Sequence, residues 1–242
     1  MKLTQEEIQY IDDYLRKSGV QFWDVRWEIL DHVATGVEEK MTHENLDFET
    51  ALEAVTIAFG NDIRQGYVLN KDNTKWVKST KYATGEGFKK LQREKQKQIG
   101  RKHFKAYWRQ LLSLFLSVQF YIEFILMIAS VVVISKYSEK WALTVGFVWI
   151  FYPFLIILYK SIKGEIPKKS LHINMSMTAV FLWIHIFSLV PNIYKNYYDE
   201  KMEFQLLALL LIVLFPFIKA SMVRYNSVCK EYKKYYDLIK SQ

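Results

Sequence analysis

Glu123 stands out for its chemistry, because it lies in an otherwise apolar stretch with Gln119 one helical turn before it. An ionised carboxylate in hydrocarbon costs at least about 2–3 kcal/mol, so this side chain must face protein or take up a proton. His185 sits in a second apolar stretch. At about 1.5 Å per helical residue, Glu123 lies about 18 Å and His185 about 21 Å from the starts of their stretches. The matched depths suggest an intramembrane Glu123–His185 pair, acting as a proton relay, a small polar site or a hydrogen-bonded joint between helices. In the polar half of the chain, Glu28, Asp31 and His32 fall at i, i+3 and i+4 and share one helix face. A carboxylate–histidine set of this kind ligates metal when partner helices supply matching Glu-x-x-His ligands. The chain has no second such set, so the expectation is a polar face, with no metal and no cofactor.

Four apolar stretches set the class: residues 111–134, 141–159, 171–190 and 204–223. Each is near the roughly 20 residues that cross about 30 Å of hydrocarbon, and the gaps between them are too short for folded domains. The expected architecture is all-α: an acidic helical domain over residues 1–70, a basic linker and juxtamembrane helix over 71–110, a four-helix transmembrane bundle over 111–223, and a basic tail over 224–242. Pro153 and Pro216 lie inside the second and fourth stretches, where each removes a backbone hydrogen bond and marks a helix kink. The two apolar hairpins share short matches: Tyr152-Pro153-Phe154 with Phe215-Pro216-Phe217, Glu139-Lys140 with Glu200-Lys201, and Ile122-Glu123 with Ile184-His185. A duplicated hairpin is therefore one reading of the membrane half. No Gly-rich phosphate loop, zinc-binding His/Cys set or nucleophile elbow is present, which argues against an enzyme.

Charge is strongly partitioned. Residues 1–70 carry 6 Lys/Arg against 14 Asp/Glu, whereas residues 71–109 carry 13 against 3. A basic block with aromatic residues suits nucleic acid in principle, but this one abuts the first span. Lysine and arginine there are expected to hold orientation and attract anionic lipid, so nucleic acid is set aside. The lipid-facing set is Lys89, Lys90, Arg93, Lys95, Lys97, Arg101, Lys102, Lys105 and Arg109, with Phe88, Leu91, Ile99 and Phe104 resting on the membrane surface. The same opposition of charge predicts that the acidic domain docks on the basic stalk and tail. Around the spans, 23 Lys/Arg flank one side and 4 the other, which places both termini in the cytoplasm. Lys219, near the end of the fourth span, is expected to reach the headgroups. His172 and Asn174 are expected to meet water, and Tyr107, Trp108, Tyr159 and Tyr225 to line the inner interface.

In the acidic domain, Thr4 and Glu7 form a capping box ahead of Ile8, Ile11 and Leu15. Ser18-Gly19 stops that helix, a second runs over about residues 22–41, and a third opens at Asp47 or Glu49 and ends before Gly60. The order Leu3-Thr4 with Glu6, then Glu28-Ile29-Leu30-Asp31-His32-Val33, Glu38-Glu39, Phe48-Glu49-Thr50-Ala51-Leu52-Glu53-Ala54 and Phe59-Gly60-Asn61 resembles the HAAS-type signalling domain and the related permease-prefix domains. The resemblance covers about a quarter of the chain. It implies a short helical bundle ahead of membrane spans in a bacterial cytoplasmic-membrane protein, with a signalling or interaction role and no catalytic residue. The lone Cys229 allows no internal disulfide, and the start of the chain carries no apolar leader, so a cleaved signal peptide is not expected. Two functions remain: a non-enzymatic signalling or adaptor subunit whose head binds a protein partner, and a small oligomeric transporter or channel subunit using Glu123 and His185.

Overall fold

A computed structural model of the chain describes residues 2–65, 67–69, 75–78, 82–198 and 202–240. Among these residues it contains eight helices and four short strands, grouped in two compact units. Glu200 and Lys201, one of the hairpin matches, lie outside the described residues.

The first unit comprises residues 1–98 with Lys169–Leu171. Helix α1 (Gln5–Lys17) begins with the expected capping box: Glu7 N donates to Thr4 Oγ1, and the Glu7 carboxylate accepts from Thr4 N. It ends at Ser18, and Gly19 takes φ of +96°, a conformation open to glycine at little cost. Helix α2 (Trp23–His43) follows, and α3 (Phe48–Ala58) starts at Asp47, whose carboxylate accepts from Thr50 N. Ile11, Leu15, Val25, Ile29, Val33, Val37, Ala51 and Leu52 interlock as the core of this bundle. The stretch read as a linker forms paired strands where it is described: β1 (Ile63–Arg64) pairs antiparallel with β4 (Tyr82–Ala83), and β2 (Tyr67–Leu69) with β3 (Trp76–Lys78).

Helix α4 (Glu86–Phe115) begins inside this first unit. Phe88 is fully buried, packs on Phe59 with ring centroids 5.8 Å apart, and its amide donates to Asn61 Oδ1. The side chain expected on the membrane surface is thus a core residue of the head. Lys95 forms an ion pair with Glu28. One ion pair thus joins the acidic domain to the stalk in the third turn of α4, with the burial of Phe88 two turns before it. Asp24 closes a polar joint in the same unit, accepting from Ser170 Oγ at 2.7 Å and Leu171 N at 3.0 Å, while Trp23 N donates to Lys169 O.

The second unit runs from Ile99 to Lys168 and from His172 to Gln242. It holds the rest of α4, then α5 (Val118–Ser135), α6 (Glu139–Ile162), α7 (Leu171–Tyr198) and α8 (Phe204–Lys240). The last four are long and apolar enough to cross a membrane, so the chain is a multi-pass membrane protein. The first span differs from the expected 111–134. Helix α4 continues to Phe115, and i to i−3 bonds from Leu116 N and Ser117 N close its last turn. Only then does α5 begin, at Val118. Helix α5 packs along α6, α6 along α8, and Trp149 Nε1 donates to Ser130 Oγ across the α5–α6 contact. Helix α7 meets its neighbours through rings, Phe187 on Phe147 and Trp183 on Phe217. The two hairpins therefore pack differently from one another. Pro153 and Pro216 lie inside continuous helices, as does Pro191 in α7.

Candidate functional site

In the head, α2 and α3 approach closely at Gly36, where an added Cβ would stand 3.3 Å from Val55. This leaves a groove of about 370 Å³ with a floor of Gly36, Val55, Ala58 and Phe59. Its rim is ionisable: His32, Glu39, Lys40, His43 and Glu44. His32, Glu39 and His43 fall at helical spacing along α2 and are exposed. Of the polar face expected from the sequence, His32 lines this groove, Glu28 holds Lys95, and Asp31 is exposed. The described residues include no group of three or more His, Cys, Asp and Glu side chains able to hold a metal ion. The groove is apolar below, and its rim is mixed in charge: Lys40 pairs with Glu44 at 2.8 Å, beside Glu39, His32 and His43.

In the second unit, Glu123 pairs with Lys219 of α8, and Gln119 Nε2 donates to its other carboxylate oxygen at 3.2 Å. The partner differs from the expected His185, which is exposed on α7. Lys219 correspondingly bonds to protein where a headgroup contact was expected. Residues 111–115 belong to α4 and not to the span, so Glu123 lies shallower than the sequence suggests. With α5 starting at Val118, Glu123 is five residues into its helix, about 8 Å along it. A carboxylate so close to the start of α5 meets a lysine midway along α8.

A second polar joint went unread in the sequence. His103 Nε2 and His172 Nδ1 stand 3.2 Å apart, and the His172 ring stacks on Tyr232 with centroids at 4.4 Å. His103 is only 6% exposed. Burial first, then the neighbouring His172 and the charges of Arg224 and Lys102, hold its pKa down at about 4. His172 thus meets protein where water was expected. Tyr107 and Tyr225, expected at the interface, are buried, and the Tyr107 hydroxyl donates to Phe217 O at 3.5 Å. The signal for this joint was available only as two unremarkable histidines 69 residues apart.

Eight of the nine basic side chains assigned to lipid are exposed along α4, the exception being Lys95. In the second unit, Arg101, Lys102, Lys105 and Arg109 share their helix with exposed Phe104 and Trp108, whose rings meet edge to face.

No family model, curated protein or solved structure matches the chain.

Proposed function

We propose that this membrane protein is a non-enzymatic adaptor or signalling subunit whose helical head binds a basic, amphipathic segment of a protein partner. The observation that carries the reading is the groove between α2 and α3. An apolar floor of Val55, Ala58 and Phe59 accepts side chains of one helix face, and Glu39 on the rim, beyond the Lys40–Glu44 pair, selects positive charge beside it. The surrounding residues 1–70, with 14 acidic against 6 basic side chains, extend that preference and favour rapid encounter. The resemblance to HAAS-type signalling domains supports the same role, as does a bundle too small to build a deep core of its own.

The asymmetry of Lys/Arg around the spans supports a bacterial cytoplasmic membrane with both termini in the cytoplasm, which puts the head where soluble partners are. Exposed Arg101, Lys102, Lys105 and Arg109, with Phe104 and Trp108 beside them, suit an α4 lying against an anionic leaflet. The transporter alternative rested on a Glu123–His185 pair, and Glu123 has a different partner.

The test is copurification of the full chain from its own membranes in mild detergent. One protein should be recovered at fixed stoichiometry, and the surface variant Glu39→Lys/Ala58→Arg should weaken its retention at least about tenfold, a loss of about 1.4 kcal/mol. Undiminished retention by that variant, with the protein still inserted in the membrane, would refute the groove as the binding surface.

A further inference from the structure

Where α4 gives way to α5, a cavity of about 370 Å³ opens beside the Glu123–Lys219 pair. Its polar lining comes from Gln110, Ser113, Ser117, Gln119, Glu123 and Lys219. Leu114, Phe120 and Val223 form the apolar part of its wall. The volume lies at the small end of the range for small-molecule sites, roughly 300–1,000 Å³. This cavity lies in the second unit, and the groove of the head is independent of it.

Three observations define what fits. The first is charge. The lining holds one carboxylate and one ammonium, and its other polar groups are neutral amides and hydroxyls. A net anion or cation that separated the pair would leave one charge uncompensated in a poorly solvated place, which is costly. A zwitterion exchanges one ion pair for two. The second is access. The Glu123 and Lys219 side chains are 24% and 26% exposed, so both charged heads can be reached without unpacking the helices. Ser117 precedes α5 without capping it, which leaves its hydroxyl for another acceptor or donor. The third is location. Val118 and Ile122 on α5, and Leu112 and Leu116 beside the turn, are exposed apolar residues, Leu116 by 87%. The cavity is therefore bordered by surface suited to acyl chains, within about 8 Å of the start of a span.

We propose that this cavity binds the headgroup of a phospholipid carrying a phosphate and a primary ammonium, with Lys219 taking the phosphate and Glu123 the ammonium. The primary amine follows from the chemistry of Glu123 and Gln119. A carboxylate and an amide oxygen accept N–H donors, which a quaternary ammonium lacks. Quaternary ammonium groups are held by cages of several aromatic faces, and Phe120 is the single aromatic residue of this lining. Lys219, as a point charge with three donors, suits a phosphate oxygen.

The experiment is native mass spectrometry on the delipidated full chain in mild detergent, titrated with phosphatidylethanolamine, phosphatidylcholine and phosphatidylglycerol of the same acyl chains. Wild-type protein should retain phosphatidylethanolamine about tenfold better than the other two, as one charge-assisted hydrogen bond would give. Glu123→Gln leaves Lys219 as an uncompensated cation, so the preference should move to phosphatidylglycerol, whereas Lys219→Arg should keep it on phosphatidylethanolamine. Comparing lipids on one variant makes the ratio independent of how stable that variant is. Equal retention of all three lipids by wild type, which needs no variant, would overturn the proposal, and so would an unchanged preference in Glu123→Gln. Soluble phosphoethanolamine competing as well as the lipid would overturn the assignment to a membrane lipid.

Discussion

Glu123 and Lys219 show what one ion pair does at the margin of a span. Each would be costly alone in a poorly solvated site, and together with Gln119 they tie α5 to α8. Removing one member should cost more than removing both. Glu123→Gln or Lys219→Met alone is expected to lose about 2 kcal/mol of stability, while the double variant recovers much of it. A double-mutant cycle on thermal unfolding in detergent checks this, and additive losses would deny the coupling. His103 makes a different statement. Its folded pKa of about 4 lies below the 6.5 of a free histidine, so the folded chain refuses a proton that the unfolded chain accepts. Stability present above pH 6.5 is therefore lost as pH falls toward 4. Tm followed across that window should decline, and His103→Gln should flatten the decline. The His172, Arg224 and Lys102 groups around His103 act in the same direction, so an unchanged slope in the variant would move the effect to another group.

At the scale of elements, close approach is set by glycine. A Cβ at Gly146 of α6 would stand 2.8 Å from Leu211 Cδ1 of α8, so Gly146→Val should strain that contact by about 1–3 kcal/mol. In the head, a Cβ at Gly87 would fall 2.0 Å from Phe59 O. That neighbour is backbone and cannot swing aside. Gly87→Ala should loosen the start of α4 from the head, exposing buried Phe88, and limited proteolysis between residues 60 and 90 should then accelerate. The cutting pattern of the unsubstituted chain would contradict this packing. These elements were unevenly legible in the sequence. Caps such as Thr4–Glu7 and Asp47 act over three residues and could be read directly. The break at Leu116–Ser117 could not, because Leu111–Leu116 is as apolar as the span that follows and no proline or glycine marks the turn. The short strand pairs were hidden in a polar stretch whose pairing partners lie up to 20 residues apart. Lys219 as the partner of Glu123, and His172 as the partner of His103, depend on contacts separated by 96 and 69 residues. Helical spacing carries no information at that range.

For the whole molecule, four helices long and apolar enough to span a membrane carry a lopsided distribution of lysine and arginine on their flanks, which favours one orientation. Single cysteines placed at Gln9 and Tyr236 in a Cys229→Ala background should both resist a membrane-impermeant maleimide in intact cells and both react after permeabilisation. Labelling of either position in intact cells would reverse the orientation and remove the head from the cytoplasm. The adaptor reading needs that orientation, the groove and a partner together. Its most direct test is a photo-crosslinking residue at Ala58, on the groove floor, with a control at exposed Gln9 of α1, both in the full chain in living cells. The account predicts one protein crosslinked from Ala58 and absent from Gln9, lost when Glu39→Lys is added. Crosslinks from Ala58 only to lipid or to the chain itself, or a protein adduct indifferent to Glu39→Lys, would contradict it.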